Sequence, residues 1–105
     1  MINQTNYDYS EEEKTIAMYS KALGHPARVA ILNYLASLDT CFFGDICKEL
    51  PIAKSTVSQH LNELKKANLI QGTIEPPKVY YCINKENWKI ATAVYKKFFS
   101  QTLKK

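Results

Sequence analysis

The sequence predicts a mainly α-helical domain carrying one small β-hairpin, an α+β fold. Three observations support that expectation. Apolar residues recur at helical spacing in five separate segments, and two β-prone runs, 69–74 and 79–83, flank the turn-forming Glu75-Pro76-Pro77-Lys78. The length of 105 residues fits one domain, with so little interior that burying further apolar surface in a dimer would be useful. In chain order the elements read helix, helix, short strand, helix, helix, strand, strand, helix.

Residues 1–9 read as a flexible N-terminal arm and residues 10–105 as the folded domain. Ser10 and Glu13 form a capping-box pattern that opens a first helix over residues 10–23. Ile16, Ser20 and Leu23, with Ala17 and Tyr19 beside them, make it moderately amphipathic, and Gly24 ends it. His25 and Pro26 open the second helix, Pro being tolerated at the first helical position, and Arg28, Ile31, Leu32 and Leu35 mark its repeat. Asp39 to Phe42 is short and β-prone. Gly44 to Leu50 is expected to form a third helix with Ile46, Cys47 and Leu50 inward, and Pro51 stops it. After only Ile52 and Ala53 a fourth helix begins, so the third and fourth make a helix-turn-helix pair. Ala53 stands where a capping Ser or Asp is expected. The hairpin over residues 69–83 is of the kind called a wing. Asn84 caps a last helix over residues 85–103, in which Trp88, Ala91, Tyr95, Phe98 and Phe99 form a broad aromatic stripe.

The fourth helix, within KSTVSQHLNELKKANLI at 54–70, organises the chain. Val57, Leu61 and Leu64 fall on one side at i, i+4, i+7. The opposite side collects Ser55, Ser58, Gln59, Asn62 and Lys66, with Glu63 projecting sideways. A merely solvated face usually mixes Glu with Lys, because such pairs support a helix. Hydroxyls, amides and ammonium groups without carboxylates suit base edges and phosphates. Lys54, Ser55, Thr56, Ser58, Gln59, His60 and Asn62, with Lys78 in the wing, are therefore the candidate DNA contacts. Gln59 is the first choice for reading a base, since its amide can pair bidentately with adenine. Lys54, Ser55 and Ser58 suit phosphates. His60 projects to the edge of the apolar stripe, and two readings stand for it, a packed histidine and a DNA contact.

Charge agrees. Residues 1–50 carry four Lys/Arg against seven Asp/Glu, whereas residues 51–105 carry ten against three, so the basic excess lies with the fourth helix. No apolar run reaches the roughly 18 residues of a membrane helix, and the acidic, polar start MINQTNYDYSEEEK is unlike a secretory signal. A cytoplasmic protein is expected, and its three cysteines, odd in number, then fit reduced thiols. Cys41 and Cys47 are the candidates for a thiol switch, set against inert half-buried thiols. No nucleophile, base and orienter can be assembled, no Gly-rich phosphate loop exists among three scattered glycines, and no zinc spacing occurs. An enzyme, a cofactor and a metal centre are not expected.

LGHPARVAIL at 23–32, STVSQHLNELKKANLI at 55–70 and VYYCI at 79–83 resemble the ArsR/SmtB family of bacterial winged-helix transcriptional repressors. The resemblance implies a winged helix-turn-helix and a homodimer joined through its first and last helices, with Ile16, Tyr19, Trp88, Ala91, Tyr95, Phe98 and Phe99 in the interface. It also implies a palindromic double-stranded operator and release by an inducer; for this chain a small molecule and a redox signal both stand as candidates. The chain departs from the family's metal sites. Phe42 and Gly44 stand where many members carry a Cys-x-Cys pair, and residues 84–105 contain no His, Asp or Cys. The wing has Lys78 as its only cation and lacks the family's frequent Arg. Two alternatives remain open: the aromatic stripe lining a small-molecule pocket, and a winged-helix protein-interaction module that does not bind DNA specifically.

Overall fold

In the computed structural model, residues 7–73 and 80–104 are described. The Ser10 hydroxyl accepts the Glu13 N–H at 3.0 Å and the Ser10 N–H donates to Glu13 Oε1 at 2.9 Å, a reciprocal capping box that starts α1, Glu11–Ala22. His25 caps α2, Pro26–Ala36, through Nδ1, which accepts the Ala27 N–H at 3.0 Å. Next comes the two-residue strand β1, Phe42–Phe43.

The expected third helix is a single 3-10 turn, Ile46–Lys48. Gly44 holds a left-handed φ of 125° and Asp45 caps the turn, its carboxylate accepting the Cys47 N–H at 2.9 Å. With Pro51 close behind, room is left for only one turn. Ile46 is 1 % exposed and Cys47 and Leu50 are half-buried, so the expected inward side survives without the second turn.

The fourth expected helix is α3, Lys54–Lys66. Its end is a Schellman motif: Asn68 adopts φ 60°, its N–H donates to the Lys65 carbonyl at 2.9 Å, and the Leu69 N–H donates to that of Leu64 at 3.1 Å. This turns the chain into β2, Ile70–Thr73, which pairs antiparallel with β3, Tyr80–Ile83. The tip of the expected wing, with Lys78, lies outside the described residues. Gly72 faces Tyr81 at φ 138°, and a Cβ there would collide with the Tyr80 carbonyl oxygen. β1 adds to the other side of β3, Phe42 opposite Tyr81, giving a three-stranded sheet in the order β1-β3-β2. Asn84 caps α4, Lys85–Phe99, accepting the Asn87 N–H at 3.2 Å. Expected to reach residue 103, α4 stops at Phe99. Ser100 Oγ donates to the Lys97 carbonyl at 3.0 Å and Gln101 Nε2 to that of Phe98 at 2.8 Å, which satisfies the last turn with side chains.

One core joins these elements: Tyr19 and Ala22 of α1, Ile31, Leu32 and Leu35 of α2, Ile46, then Val57, Leu61 and Leu64 of α3, with Leu69, Ile70 and Tyr81 of the sheet side. Helix α4 packs on α1. The Tyr19 hydroxyl donates to Asn87 Oδ1 at 3.2 Å, the Ser20 and Tyr95 hydroxyls share a hydrogen bond, and Lys97 Nζ lies 3.0 Å from Glu12. Tyr19 is 2 % exposed within one chain. Its expected place in a dimer interface is corrected: the ring fills the chain's own core and leaves no area for a partner.

The cysteines pair differently from expectation. Cys41 is bonded to Cys82, a partner 41 positions away, and Cys47 is the free thiol. The short distance in sequence favours Cys41 with Cys47, and the β1–β3 register overrides it by setting Cys41 opposite Cys82. The expectation of three reduced thiols is corrected with it.

Candidate nucleic-acid interface

Helix α3 divides by side. Val57, His60, Leu61 and Leu64 are buried, while Lys54, Ser55, Ser58, Gln59, Asn62, Lys65 and Lys66 are exposed. Periodicity sets the polar side, because Val57, Leu61 and Leu64 of the inward stripe anchor the helix and turn the hydroxyls and amides to solvent. Gln59 and Asn62 line an open depression with Glu63, Lys65 and Lys66. The polar side is not wholly free of acids at this end, since half-buried Glu63 lies 3.5 Å from Lys66 and ties up that ammonium. Lys65, which helical projection passes over, is the exposed cation beside the amides.

At the other end Ala53 caps α3 without a side-chain hydrogen bond. Thr56 is half-buried and its hydroxyl donates to the Ala53 carbonyl at 3.1 Å, so it closes the first turn. The positive end of the helix dipole therefore meets solvent beside Lys54 and Ser55, an arrangement suited to an anionic oxygen.

His60 is 6 % exposed, and its expected DNA contact is corrected. Its Nδ1 accepts Arg28 Nε at 3.1 Å and its ring lies 4.4 Å from that of His25. Burial, with His25 and Arg28 beside it, holds the imidazole below its usual pKa, so it stays neutral and able to accept. Arg28 also donates to the Lys21 carbonyl at 3.2 Å. Sequence reasoning reads Arg28 as a repeat marker, yet it joins the end of α1 to α3. No spacing rule signals such a link, because its partners come from two other elements, α1 and α3.

The apolar candidates other than Ile16 and Tyr19, which lie on α1, fall on α4. Trp88 is 38 %, Phe98 41 % and Phe99 74 % exposed, Ala91, Tyr95 and Ile16 are half-buried, and α4 contains no buried residue. Ile90, outside the stripe read from sequence, is 48 % exposed two turns before Phe98. Among the described residues no group of three or more His, Cys, Asp and Glu converges, and no helix is long and apolar enough to cross a membrane.

The sequence signature of bacterial regulatory proteins of the arsR family matches residues 25–71, the span from the cap of α2 into β2. The chain is 38 % identical over 64 residues to the transcriptional repressor SdpR of Bacillus subtilis (strain 168), covering 61 % of this chain and 70 % of SdpR. The chain belongs to the arsR family. A second relative, the HTH-type transcriptional regulator MJ1325 of Methanocaldococcus jannaschii, is 36 % identical over 73 residues, 70 % of this chain and 82 % of its own length. A third, the HTH-type transcriptional regulator CmtR of Mycobacterium tuberculosis, is 35 % identical over 72 residues, 68 % of this chain and 59 % of CmtR. As an arsR-family winged helix-turn-helix, the protein is a DNA-binding transcriptional regulator and not an enzyme. Its matched span contains the whole of α3, and so every exposed hydroxyl and amide described above.

Proposed function

We propose that the protein is a dimeric, sequence-specific repressor whose two α3 helices enter successive major grooves of a palindromic operator about 34 Å apart, and which an inducer releases. The observation that carries this reading is the exposure of Ser55, Ser58, Gln59 and Asn62 on the side of α3 opposite Val57, Leu61 and Leu64. Gln59 reads a base, and Lys54 and Ser55 hold phosphates at the open helix end. Such a function belongs where the DNA is, in the cytoplasm.

The dimer is supported by α4. Ile90 and Phe98 lie exposed on it, Met18 of α1 is 43 % exposed, and Phe99 and Leu103 stand largely free at its end. Among the described residues of one chain, none covers them. A second copy docking α1 and α4 on the same elements would bury a contiguous apolar face, as a two-fold interface requires. The interface residues are then Ile16, Trp88, Ala91, Tyr95, Phe98 and Phe99, with Met18 and Ile90 added and Tyr19 removed.

Selection of bound sequences from random DNA, followed by gel shift, tests the reading. Gln59→Ala should relax specificity at one base position by about 1–3 kcal/mol, whereas Lys54→Ala should weaken all sequences alike and reduce the salt slope by about one. Equal losses on every sequence from both variants would remove Gln59 from base reading. No retardation at low salt would leave a protein-interaction module.

A further inference from the structure

The Cys41–Cys82 disulfide extends the β1–β3 ladder by one rung beyond Phe42–Tyr81 and Phe43–Tyr80. Its Cα atoms lie 4.5 Å apart, the separation of a narrow antiparallel pair. β1 has two residues, too few to hold a strand by backbone bonds alone. The covalent rung fixes it in place. Directly after β1 come Gly44 and the capping Asp45, then buried Ile46, whose turn packs on α3. The crosslink thus stands at one end of a six-residue path, Cys41 to Ile46, that seats the DNA-facing helix.

The bond is also reachable. Both cysteines are half-buried and line a cavity of about 410 Å³ against Leu35, Leu38 and Trp88. Lys85 and Lys89, one turn apart on α4, lie in the same lining with Asp39 as the acid. Two lysine side chains lining one cavity with the disulfide draw in an anion.

We propose that Cys41–Cys82 is a thiol–disulfide exchange site for a small anionic thiol, and that opening it loosens β1 and the Ile46–Lys48 turn and weakens the grip of α3 on DNA. The last clause rests on the DNA-binding reading above; the exchange itself does not. A thiolate attacks one Sγ, the sulfur–sulfur bond breaks, and the other cysteine leaves as a thiolate. A second small thiolate then attacks the small-molecule sulfur of the mixed disulfide and releases the remaining cysteine. Two electrons pass from the small thiols, which leave as their disulfide, to the two cysteines, which take protons from water. Reoxidation by a small disulfide runs the same steps backwards. Cys47 stays outside this chemistry, because burial and the neighbouring Asp45 raise its thiol pKa and keep it protonated.

The test treats the full oxidised chain with 2-mercaptoethanesulfonate or neutral 2-mercaptoethanol at equal thiolate concentration and follows opening by alkylation and mass. The anionic thiol should react several-fold faster, and the Lys85→Ala/Lys89→Ala double variant should erase its advantage. Equal rates in the unaltered protein overturn the site. Amide hydrogen exchange at residues 42–48 and in the first turn of α3 should accelerate on reduction, and unchanged exchange overturns the coupling. Operator affinity should fall by about tenfold, equivalent to about 1.4 kcal/mol, on reduction and in Cys41→Ser and Cys82→Ser, while Cys47→Ser keeps the response. Equal affinity in both redox states overturns control of binding. Absence of binding in both states sinks the DNA reading, and the exchange rates still decide the site.

Discussion

Helices α3 and α4 are similar in length, 13 and 15 residues, and their outer sides are opposite in character. α3 buries four side chains and turns hydroxyls, amides and ammonium groups to solvent; α4 buries none and turns Ile90, Phe98 and Phe99 outward. Leaving polar groups in water costs little, so an acid-poor polar side has its use in a directional partner such as a duplex. Leaving large aromatics in water forfeits their transfer free energy, so an apolar side points to another apolar surface. Each helix is attached to the same small core, and their outer sides suit surfaces of different chemistry.

The comparison can be broken most decisively at Leu64 and Phe99. Leu64 is 0 % exposed, and Leu64→Ala should cost about 2–5 kcal/mol of stability by urea unfolding, through lost transfer and a residual cavity. Phe99 is 74 % exposed, and Phe99→Ala should leave the dissociated chain within about 0.5 kcal/mol of the original. A loss at Phe99 as large as that at Leu64 would place the end of α4 in one chain's core and erase the contrast.

A charge placed on α4 tests its partner. Phe98→Glu sets a carboxylate in a face proposed to be desolvated on pairing, and a buried unpaired charge is not tolerated there. Light scattering should give twice the chain mass for the unaltered protein and half of that for the variant, with the circular dichroism of the folded chain retained. A dimer that persists in Phe98→Glu would move the interface away from α4.

The inner side of α3 has a polar member that sharpens the contrast further. His60 is held below its usual pKa by burial, with His25 and the Arg28 guanidinium beside it. The unfolded chain therefore binds the proton more readily than the folded one. Stability from this site is complete above about pH 6.5, the unperturbed histidine value, and declines as the pH falls below it until the folded-state value is passed. Melting temperature should drop between neutral and mildly acidic pH. His60→Gln, which keeps an acceptor for Arg28, should flatten that part of the profile. A slope unchanged by the substitution would assign the acid sensitivity to other groups.

Legibility tracks the range of the interactions. The caps at Ser10, His25 and Asn84 and the stripe of Val57, Leu61 and Leu64 are set by neighbours within four residues, and they stand where the sequence predicts. His60 shows where that reasoning ends: one position beside the apolar stripe, its direction is settled by Arg28 and His25 arriving from other parts of the chain. Cys82 stays hidden as the partner of Cys41 because strand register, and not spacing, brings them together. The single turn at Ile46–Lys48 is overread from sequence, since apolar spacing over seven residues fits one turn as well as two. Tyr19 is expected in a subunit contact, yet the ring is buried within one chain, with its hydroxyl bonded to Asn87 of α4. In the candidate interface, the exposed side chains of α3 are readable from period alone, whereas Lys65 and the Glu63–Lys66 pair depend on rotamers that no projection supplies.

The smallest effect is expected at the open end of α3, and it separates stability from binding. Ala53 already has the extended backbone of a capping residue, φ −62° and ψ 130°, with no side chain to use it. Ala53→Ser and Ala53→Asp should each stabilise the fold by about 0.5–1 kcal/mol, because an oxygen at that position accepts a first-turn N–H. Their effects on DNA should diverge. A neutral hydroxyl competes only weakly with a phosphate oxygen for those groups, whereas a carboxylate repels it and cancels the positive end of the helix dipole. Thermal unfolding should therefore rank both variants above the original, while operator affinity should rank Ala53→Asp lowest, with its deficit shrinking as salt rises. If Ala53→Asp binds as tightly as Ala53→Ser at low salt, the start of α3 does not face the phosphates, and the missing cap is a defect of the fold without a role in binding.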